Sequence, residues 1–431
     1  MLTQEQNDAI TRAGPGMPGG DLLRRYWQPV AMSSELPAGG APVPVDLLGE
    51  ELVLFRDERG RAGLLDRHCC HRGTDLSYGR LEDGGLRCLY HGWLYDVTGK
   101  CLEQPAEPKN STFKDKVRQT AYPVVERAGA LFAYMGPGDP PQFPNYDFFT
   151  AAPEYLHASK VFVACNYVQA NEGNYDPAHV GFLHRTRGEN RAANRALHRV
   201  GVSDAEEAAV DSGEPPRLEV ETTAFGLRVY QIRSGGPGRT YLRITIFGMP
   251  NFSVIAGPQG GDGHIGIWHV PIDDGSHWRW HFAVRRDAPL DHDGRYASSH
   301  KSATDYEAEF FLRRKSANRY LQDRSTLEET FTGMGSSFNT HDAFATESQG
   351  AIQDRTRENT AASDTAVVAA RRLMLSGVTD VRAGKEPLGV VRDPAQNHFP
   401  DLLSFDVLAD AALDHRDVVR QVIERCVVAA R

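Results

Sequence analysis

Residues 67–95 read RHCCHRGTDLSYGRLEDGGLRCLYHGWLY, and this stretch decides what the N-terminal part of the chain must be. Cys69-x-His71 is followed, after sixteen intervening residues, by Cys88-x-x-His91. Side chains at i and i+2 of an extended strand point the same way, so Cys69 and His71 address one target. The second pair does so from a tight turn, where Gly84, Gly85 and Gly92 permit strained backbone and close approach. Each segment contributes one thiolate and one imidazole. That is the donor set of a [2Fe–2S] centre in which two cysteines hold one iron and two histidines the other, which raises the reduction potential above that of an all-cysteine cluster. A structural zinc site competes for the same residues. Zinc fingers usually pair cysteine with cysteine and histidine with histidine, whereas here each pair is mixed.

The whole chain has 431 residues, which at roughly 150 residues per domain suggests two or three domains. Apolar residues make up 40% and charged residues 24%, as in ordinary globular proteins, and a net charge of −9 argues against a broad nucleic-acid surface. No uninterrupted apolar run approaches the ~18 residues of a membrane helix. The polar first thirty residues show no signal peptide, so a cytoplasmic location is expected. Six cysteines are too few for a disulfide framework, and Cys69, Cys70 and Cys88 fall within twenty residues, as metal ligands do.

Glycine, proline and aspartate divide the chain into an N-terminal helical segment (1–40), a small all-β domain (41–145) and a larger C-terminal domain (146–431). Thr3-x-x-Gln6 is a capping box opening a short helix, and 137–144 (PGDPPQFP) reads as a linker. A helical run over 166–184 precedes strands at 218–232, 240–255, 265–272 and 277–284, whose short connections predict an antiparallel sheet rather than βαβ units. Helices are predicted over 346–375 and 416–430, and long loops over 186–216 and 378–397.

A second constellation lies in 171–184, NEGNYDPAHVGFLH, as Asp176-x-x-His179-x-x-x-x-His184. Two histidines with a remote carboxylate form the facial triad that holds Fe(II) and leaves positions open for dioxygen. A spacing of five turns the second histidine away from the first on a regular helix, so one π-type turn is predicted to realign them. Asp176 and His179 are three apart and share a helix face, and ligating histidines usually give their second N–H to such an acceptor. The plainer reading is that Asp176, ahead of Pro177, caps a helix.

Together these motifs resemble the Rieske non-haem iron oxygenases. C-x-H-R-G at 69–73 and C-x-Y-H-G-W at 88–93 look like their Rieske domain, and the spacing of Asp176, His179 and His184 looks like their catalytic domain. LLRRYWQPV at 22–30, LEQPAEP at 102–108 and DRTRE at 354–358 resemble the phthalate dioxygenase branch, which includes O-demethylases of vanillate- and dehydrodivanillate-type lignin fragments. The resemblance implies an α+β protein: an N-terminal all-β Rieske [2Fe–2S] domain joined to a C-terminal helix-grip-like catalytic domain of antiparallel sheet and helices. It implies Cys69, His71, Cys88 and His91 as cluster ligands, and Fe(II) held by His179, His184 and a distant carboxylate. In that branch the carboxylate opens a stretch such as DAFATESQG ahead of a long helix, which favours Asp342. Asp354, with Arg355 and Arg357, reads as a solvated or ion-paired helix face, and Glu347 is a weaker candidate. Cys70 is an unusual occupant between two ligands and reads as a bystander thiol open to oxidation.

The implied activity is that of a terminal oxygenase (alpha) component, in which the cluster feeds electrons to the iron and oxygen from O2 enters an aromatic substrate. The metal ligands do not separate hydroxylation of a carboxylated aromatic from O-demethylation of a methoxylated aromatic acid. No G-x-G-x-x-G fingerprint appears, so a separate NAD(P)H-dependent reductase of flavin and iron–sulfur type is expected. The resemblance also implies a homotrimer or dimer of trimers, in which a Rieske histidine, His91, faces Asp176 of the next subunit. Tyr241, Arg243, Thr245 and Phe247 share one strand face. If that face lines the pocket, Arg243 suits an aromatic carboxylate; otherwise it faces solvent or pairs with a neighbouring acid. The Trp278/Trp280/Phe282 stripe reads as sheet core. A pure Rieske electron carrier is the alternative from another class, opposed by the second metal motif and the large domain behind the first.

Overall fold

The computed structural model describes residues 1–185, 215–256, 263–286, 288–290 and 305–429, so the loop predicted over 186–216 falls almost wholly outside it. No helix among the described residues is long and apolar enough to cross a membrane. The capping box forms as expected: Thr3 Oγ1 accepts from the Gln6 N–H (3.2 Å) and Gln6 Oε1 from the Thr3 N–H (3.0 Å), opening α1 (Gln4–Thr11). After α2 (Pro18–Leu23) the chain turns to strand at β1 (Gln28–Met32), because Pro29 cannot continue a helix.

β2 (Val43–Leu47), β3 (Glu50–Arg56) and β4 (Ala62–Asp66) pair in order, with β9 (Ala121–Tyr122) at the far edge. A second small sheet joins β5 (Arg80–Glu82), β6 (Gly85–Arg87), β7 (Leu94–Tyr95) and β8 (Cys101–Glu103), and β11 (Ala130–Ala133) lies between β1 and β10 (Val124–Arg127). β3 is buried on both faces. By the two-residue strand period, Val53 and Phe55 enter a small core with Leu65, Trp93, Tyr95, Cys69 and Cys88, while Leu52 and Leu54 enter the large core of the molecule. The cysteine-bearing layer is thereby clamped to the body of the protein.

The C-terminal part is built on an eight-stranded antiparallel sheet. Its order is β12 (Leu156–Val163), β18 (His277–Arg285), β17 (Gly263–Pro271), β16 (Phe252–Ala256), β15 (Arg239–Gly248), β14 (Gly226–Ser234) and β13 (Arg217–Thr222), with β21 (Phe405–Asp410) also pairing β15. A hairpin, β19 (Tyr306–Ala308) with β20 (Phe311–Leu312), stands apart. Helices α3 (Asp147–Thr150), α4 (Tyr167–Tyr175), α5 (Val180–Leu183), α6 (Phe338–Glu347), α7 (Thr365–Arg382) and α8 (His415–Ala429) complete the fold. Alternation on β18 separates the sheet's two faces. Trp280 and Phe282 are buried in the aromatic core with Phe132 and Phe149, as the stripe reading expects, each such burial contributing about 1.5–3 kcal/mol. His277, Arg279 and His281 face the other way, and Arg279 meets α4 and α6.

Two helix expectations are corrected. The run over 346–375 is not one helix: α6 stops at Glu347, Gly350 takes φ +96°, and α7 starts only at Thr365. α7 then continues to Arg382, shortening the loop predicted from 378. Between the two helices Arg355 is fully buried rather than on a solvated face. It donates to both oxygens of Glu172 on α4 (3.3 and 3.1 Å) and to Asn7 Oδ1 on α1 (3.1 Å). Arg371 of α7 grips the same carboxylate (2.6 and 3.0 Å) and also pairs with Glu358. Segment 137–144 carries no helix or strand, and its Pro141 carbonyl accepts from Trp27 Nε1 (3.1 Å).

Candidate metal centres

The two segments of the first constellation are matched turns. The Cys69 N–H donates to Thr74 O (2.9 Å) and the Gly73 N–H to Cys69 O (2.8 Å); the Cys88 N–H donates to Trp93 O (2.9 Å) and the Gly92 N–H to Cys88 O (3.1 Å). Gly73 and Gly92 have φ of +76° and +73°, which glycine adopts without strain, and a Cβ on Gly92 would lie 2.6 Å from Pro105 Cγ. Cys69 and Cys88 are buried and adjoin, whereas the His71 and His91 rings are partly exposed, 4.4 Å apart, with His71 stacked on Trp93 at 4.2 Å. Burial pushes the Cys69 thiol up to about 11. A buried sulfur of this kind becomes thiolate when a cation displaces its proton. An inner sulfur pair and an outer imidazole pair fit a two-iron cluster, in which the sulfurs would hold one iron and the imidazoles the other.

At the second constellation, Pro177 ends α4. Asp176 is not a helix N-cap. It caps the C-terminus of α4 through its N–H to Glu172 O (3.1 Å), and its Oδ1 accepts from the Ala178 N–H (2.8 Å). His179 then precedes, and His184 follows, the single-turn α5. This broken helix, not a π-type turn, brings the two rings to 5.3 Å.

Hydrogen-bond partners assign the tautomers. His179 Nδ1 lies 2.7 Å from the Asp176 carbonyl, which can only accept, so Nδ1 carries the hydrogen and Nε2 a lone pair. His341 Nε2 donates to Gly335 O (2.9 Å), so its Nδ1 accepts from His184 Nδ1–H at 3.3 Å and leaves His184 Nε2 a lone pair too. Asp342 of α6 brings Oδ1 to 3.0 Å from His184 Nε2 and 4.0 Å from His179 Nε2. Burial keeps His184 below its ordinary pKa despite Asp342. At His179 burial is outweighed by Asp176 and Asp342, which raise it. Burial would lift Asp342, but His184 and Arg279 hold it well below the ordinary carboxylate range. One ligand atom from each of the three residues lies within 4.8 Å of the others, a donor set with the chemistry to take a cation.

A cavity of about 260 Å3 opens beside His179 and Asp342, with Asp176, Asn174, Arg279 and Leu183 in its wall. Arg243 is not in that wall. β21 returns beside β15 and sets Asp406 against the Arg243 guanidinium at 3.5 Å, so the pocket placement is corrected to the pairing with a neighbouring acid. Asp354 is exposed and accepts from the Thr356 N–H (3.0 Å). Glu347 accepts from the Ala164 N–H (3.0 Å) and the Tyr320 hydroxyl (2.6 Å). Sequence reasoning does not single out Arg279, Asn174, His341, His269 or His277. The available signal was the alternation H-W-R-W-H at 277–281, which places polar groups on the face opposite the tryptophans.

Residues 26–121 match the family described as Rieske [2Fe-2S] domain, and residues 133–429 the family described as LigXa C-terminal domain like. The chain is 34% identical to the phthalate 4,5-dioxygenase oxygenase subunit of Pseudomonas putida, over 97% of this chain and 94% of that protein. It is also 34% identical to the 5,5'-dehydrodivanillate O-demethylase oxygenase subunit of Sphingobium sp. (strain NBRC 103272 / SYK-6), over 92% and 85%. The terminal oxygenase of carbazole 1,9a-dioxygenase from Novosphingobium sp. KA1 shares the fold, with a TM-score of 0.57 at 20% identity over 86% of this chain and 94% of that one. The chain belongs to the Rieske non-haem iron oxygenases. It is an oxidoreductase, the terminal oxygenase component of such a system, with a Rieske [2Fe–2S] domain ahead of a catalytic domain whose family uses mononuclear non-haem iron, which sets aside the pure electron carrier.

Proposed function

We propose that Cys69, His71, Cys88 and His91 hold the [2Fe–2S] cluster, that His179, His184 and Asp342 hold the mononuclear iron, and that the substrate is an aromatic carboxylic acid hydroxylated with O2. The observation that carries the iron assignment is the convergence of one imidazole nitrogen each from His179 and His184 and a carboxylate oxygen of Asp342 within 4.8 Å. When bound there, the iron supplies dioxygen activation with electrons received from the cluster. The protein's own groups orient the donors: the Asp176 carbonyl fixes His179, and His341 fixes His184. The substrate class follows the relative named for phthalate. Equal identity to an O-demethylase supports a second reading, O-demethylation of a methoxylated aromatic acid.

Electrons come from a separate NAD(P)H-dependent reductase of flavin and iron–sulfur type, which places the system in the cytoplasm. Subunits pack head to tail in a homotrimer or a dimer of trimers. Leu89 (57% exposed) and Tyr90 (56%) surround His91 with apolar surface suited to such a contact, and Asp176 stands in the open cavity wall to receive it.

Iron analysis of the purified protein is expected to give about three irons per chain, against about two for a cluster alone. Asp342→Ala should keep the Rieske spectrum while mononuclear iron and turnover are lost, and Asp354→Ala should keep both. Full iron retention in Asp342→Ala would overturn the assignment. Substrate-stimulated O2 uptake across a panel of aromatic acids identifies the reaction: formaldehyde together with a phenol marks O-demethylation, whereas a dihydrodiol, or a phenol without formaldehyde, marks hydroxylation.

A further inference from the structure

Asp342 has a second oxygen that neither histidine meets. Arg279 Nη1 donates to its Oδ2 at 2.8 Å, while Oδ1 faces His184 and His179. The Arg279 side chain is itself held by a ladder of polar groups that runs from the cavity wall at Asn174 to two buried imidazoles. Arg279 Nη2 lies 3.5 Å from Asn174 Oδ1, Asn174 Nδ2 lies 2.7 Å from His269 Nε2, His269 Nδ1 lies 3.0 Å from His277 Nε2, and His277 Nδ1 lies 2.6 Å from the Cys165 carbonyl.

The ladder runs in one direction only. The Cys165 carbonyl can only accept, so His277 Nδ1 carries the hydrogen and His277 Nε2 accepts from His269 Nδ1–H. His269 Nε2 must then accept from the Asn174 amide N–H, which leaves the Asn174 oxygen, not its nitrogen, toward the guanidinium. Both imidazoles are completely buried, and that burial brings His277 down to about 4 and His269 well below its ordinary value, so both are neutral. A carbonyl at one end of the ladder thus sets the amide orientation at the other. His269 and Arg279 are register partners on β17 and β18, which ties the ladder and the guanidinium to the same rigid sheet.

We infer that Arg279 is a positioning residue that keeps Asp342 a one-oxygen ligand, so that a coordination position at the iron stays open. The inference rests on the assignment of His179, His184 and Asp342 to iron. An unrestrained carboxylate offers both oxygens to a metal, and an Arg fork that occupies one of them prevents this. Removing the partners behind a metal's direct ligands commonly costs about 10–100-fold in metal affinity or activity, and an effect on the lower side of that scale is expected for ligand binding at the iron.

Nitric oxide binding to the mononuclear Fe(II) of the holoenzyme, with the cluster oxidised and EPR-silent, reads the open position directly. Arg279→Met is expected to retain mononuclear iron while its nitric oxide affinity falls about 10-fold or more as Oδ2 turns to the metal. Arg279→Lys, which keeps a donor for Oδ2, should stay close to wild type. Asn174→Ala, a milder change that serves if the Met variant does not accumulate, should move in the same direction by less. Wild-type nitric oxide binding in Arg279→Met, or a change confined to KM for the acid substrate, would overturn the inference and make Arg279 a substrate contact. Wild-type mononuclear iron in Asp342→Ala would instead remove the assignment beneath it, so the two failures are distinct.

Discussion

The Tyr95 hydroxyl has one proton and two sulfur neighbours, Cys69 Sγ at 3.1 Å and Cys70 Sγ at 3.4 Å. A metal-bound Cys69 cannot donate, so the Tyr95 O–H points at it and the Cys70 S–H is left to donate to the Tyr95 oxygen. On the proposed ligand set, Cys70 takes part in the bonding around the cluster sulfur instead of standing by. Its backbone is pinned by Gln119, whose Oε1 accepts the Cys70 N–H at 2.7 Å. Hydrogen bonds to cluster sulfur raise the reduction potential, because they stabilise the more negative reduced state. Tyr95→Phe is predicted to lower the potential in an EPR-monitored redox titration, and Cys70→Ala to lower it by less; an unmoved midpoint in Tyr95→Phe would refute the bond. The four proposed ligands stand out in the sequence because their spacing is local. Tyr95 does not, since its partner Cys69 is 26 residues away and the contact exists only once the two turns face each other.

At the scale of elements, the buried charge cluster of Glu172, Arg355 and Arg371 joins α4, α7 and the segment between α6 and α7. Removing the shared acid would leave the buried Arg355 without a carboxylate and Arg371 with Glu358 alone. Glu172→Gln is predicted to destabilise the protein by about 3–5 kcal/mol, measured by denaturant unfolding, because an unpaired buried charge costs more than the pair returns. Burial would raise the Glu172 pKa, but Arg355 and Arg371 hold it below 4.5. Its contribution is therefore fully present above that value and is lost as pH falls through the lower folded-state pKa, so the substitution should also flatten the acid limb of the stability curve. DRTRE has the composition of a solvated face. The burial of Arg355 within it depends on a glutamate 183 residues earlier, which no local pattern reports. The broken helix at Pro177 is the converse case: the proline was visible, yet the periodicity on either side suggested one continuous run.

For the whole molecule, Asp176 is the residue on which communication between subunits should depend. It sits 3.7 Å from His179 Nδ1 through its Oδ2 while its backbone carbonyl holds the same nitrogen. Asp176→Asn keeps the turn to Ala178 and loses the charge. Both metal sites should load and the cluster should reduce, but single-turnover oxidation of the cluster should slow by orders of magnitude; a rate near wild type would leave Asp176 only its cap. The all-β unit, the antiparallel sheet and their order along the chain follow from turn spacing and strand alternation. The return of β21 beside β15 and the docking of α1 do not, since both join residues far apart in the sequence.

That docking of α1 has a consequence for how the chain is made. Tyr167 reaches back to the Ile10 carbonyl (2.6 Å) across 157 residues, but Asn7 bonds Arg355 across 348, so the first helix must wait for a partner made much later. At about 5–20 residues per second on the ribosome, the wait between the two partners is roughly 17–70 s. The Rieske turns close through far nearer contacts, such as Cys70 with Gln119 across 49 residues. The cluster-binding unit therefore has time to fold before Arg355 is made, and the Asn7–Arg355 bond fastens the N-terminal helix only afterwards, like a latch drawn over a lock.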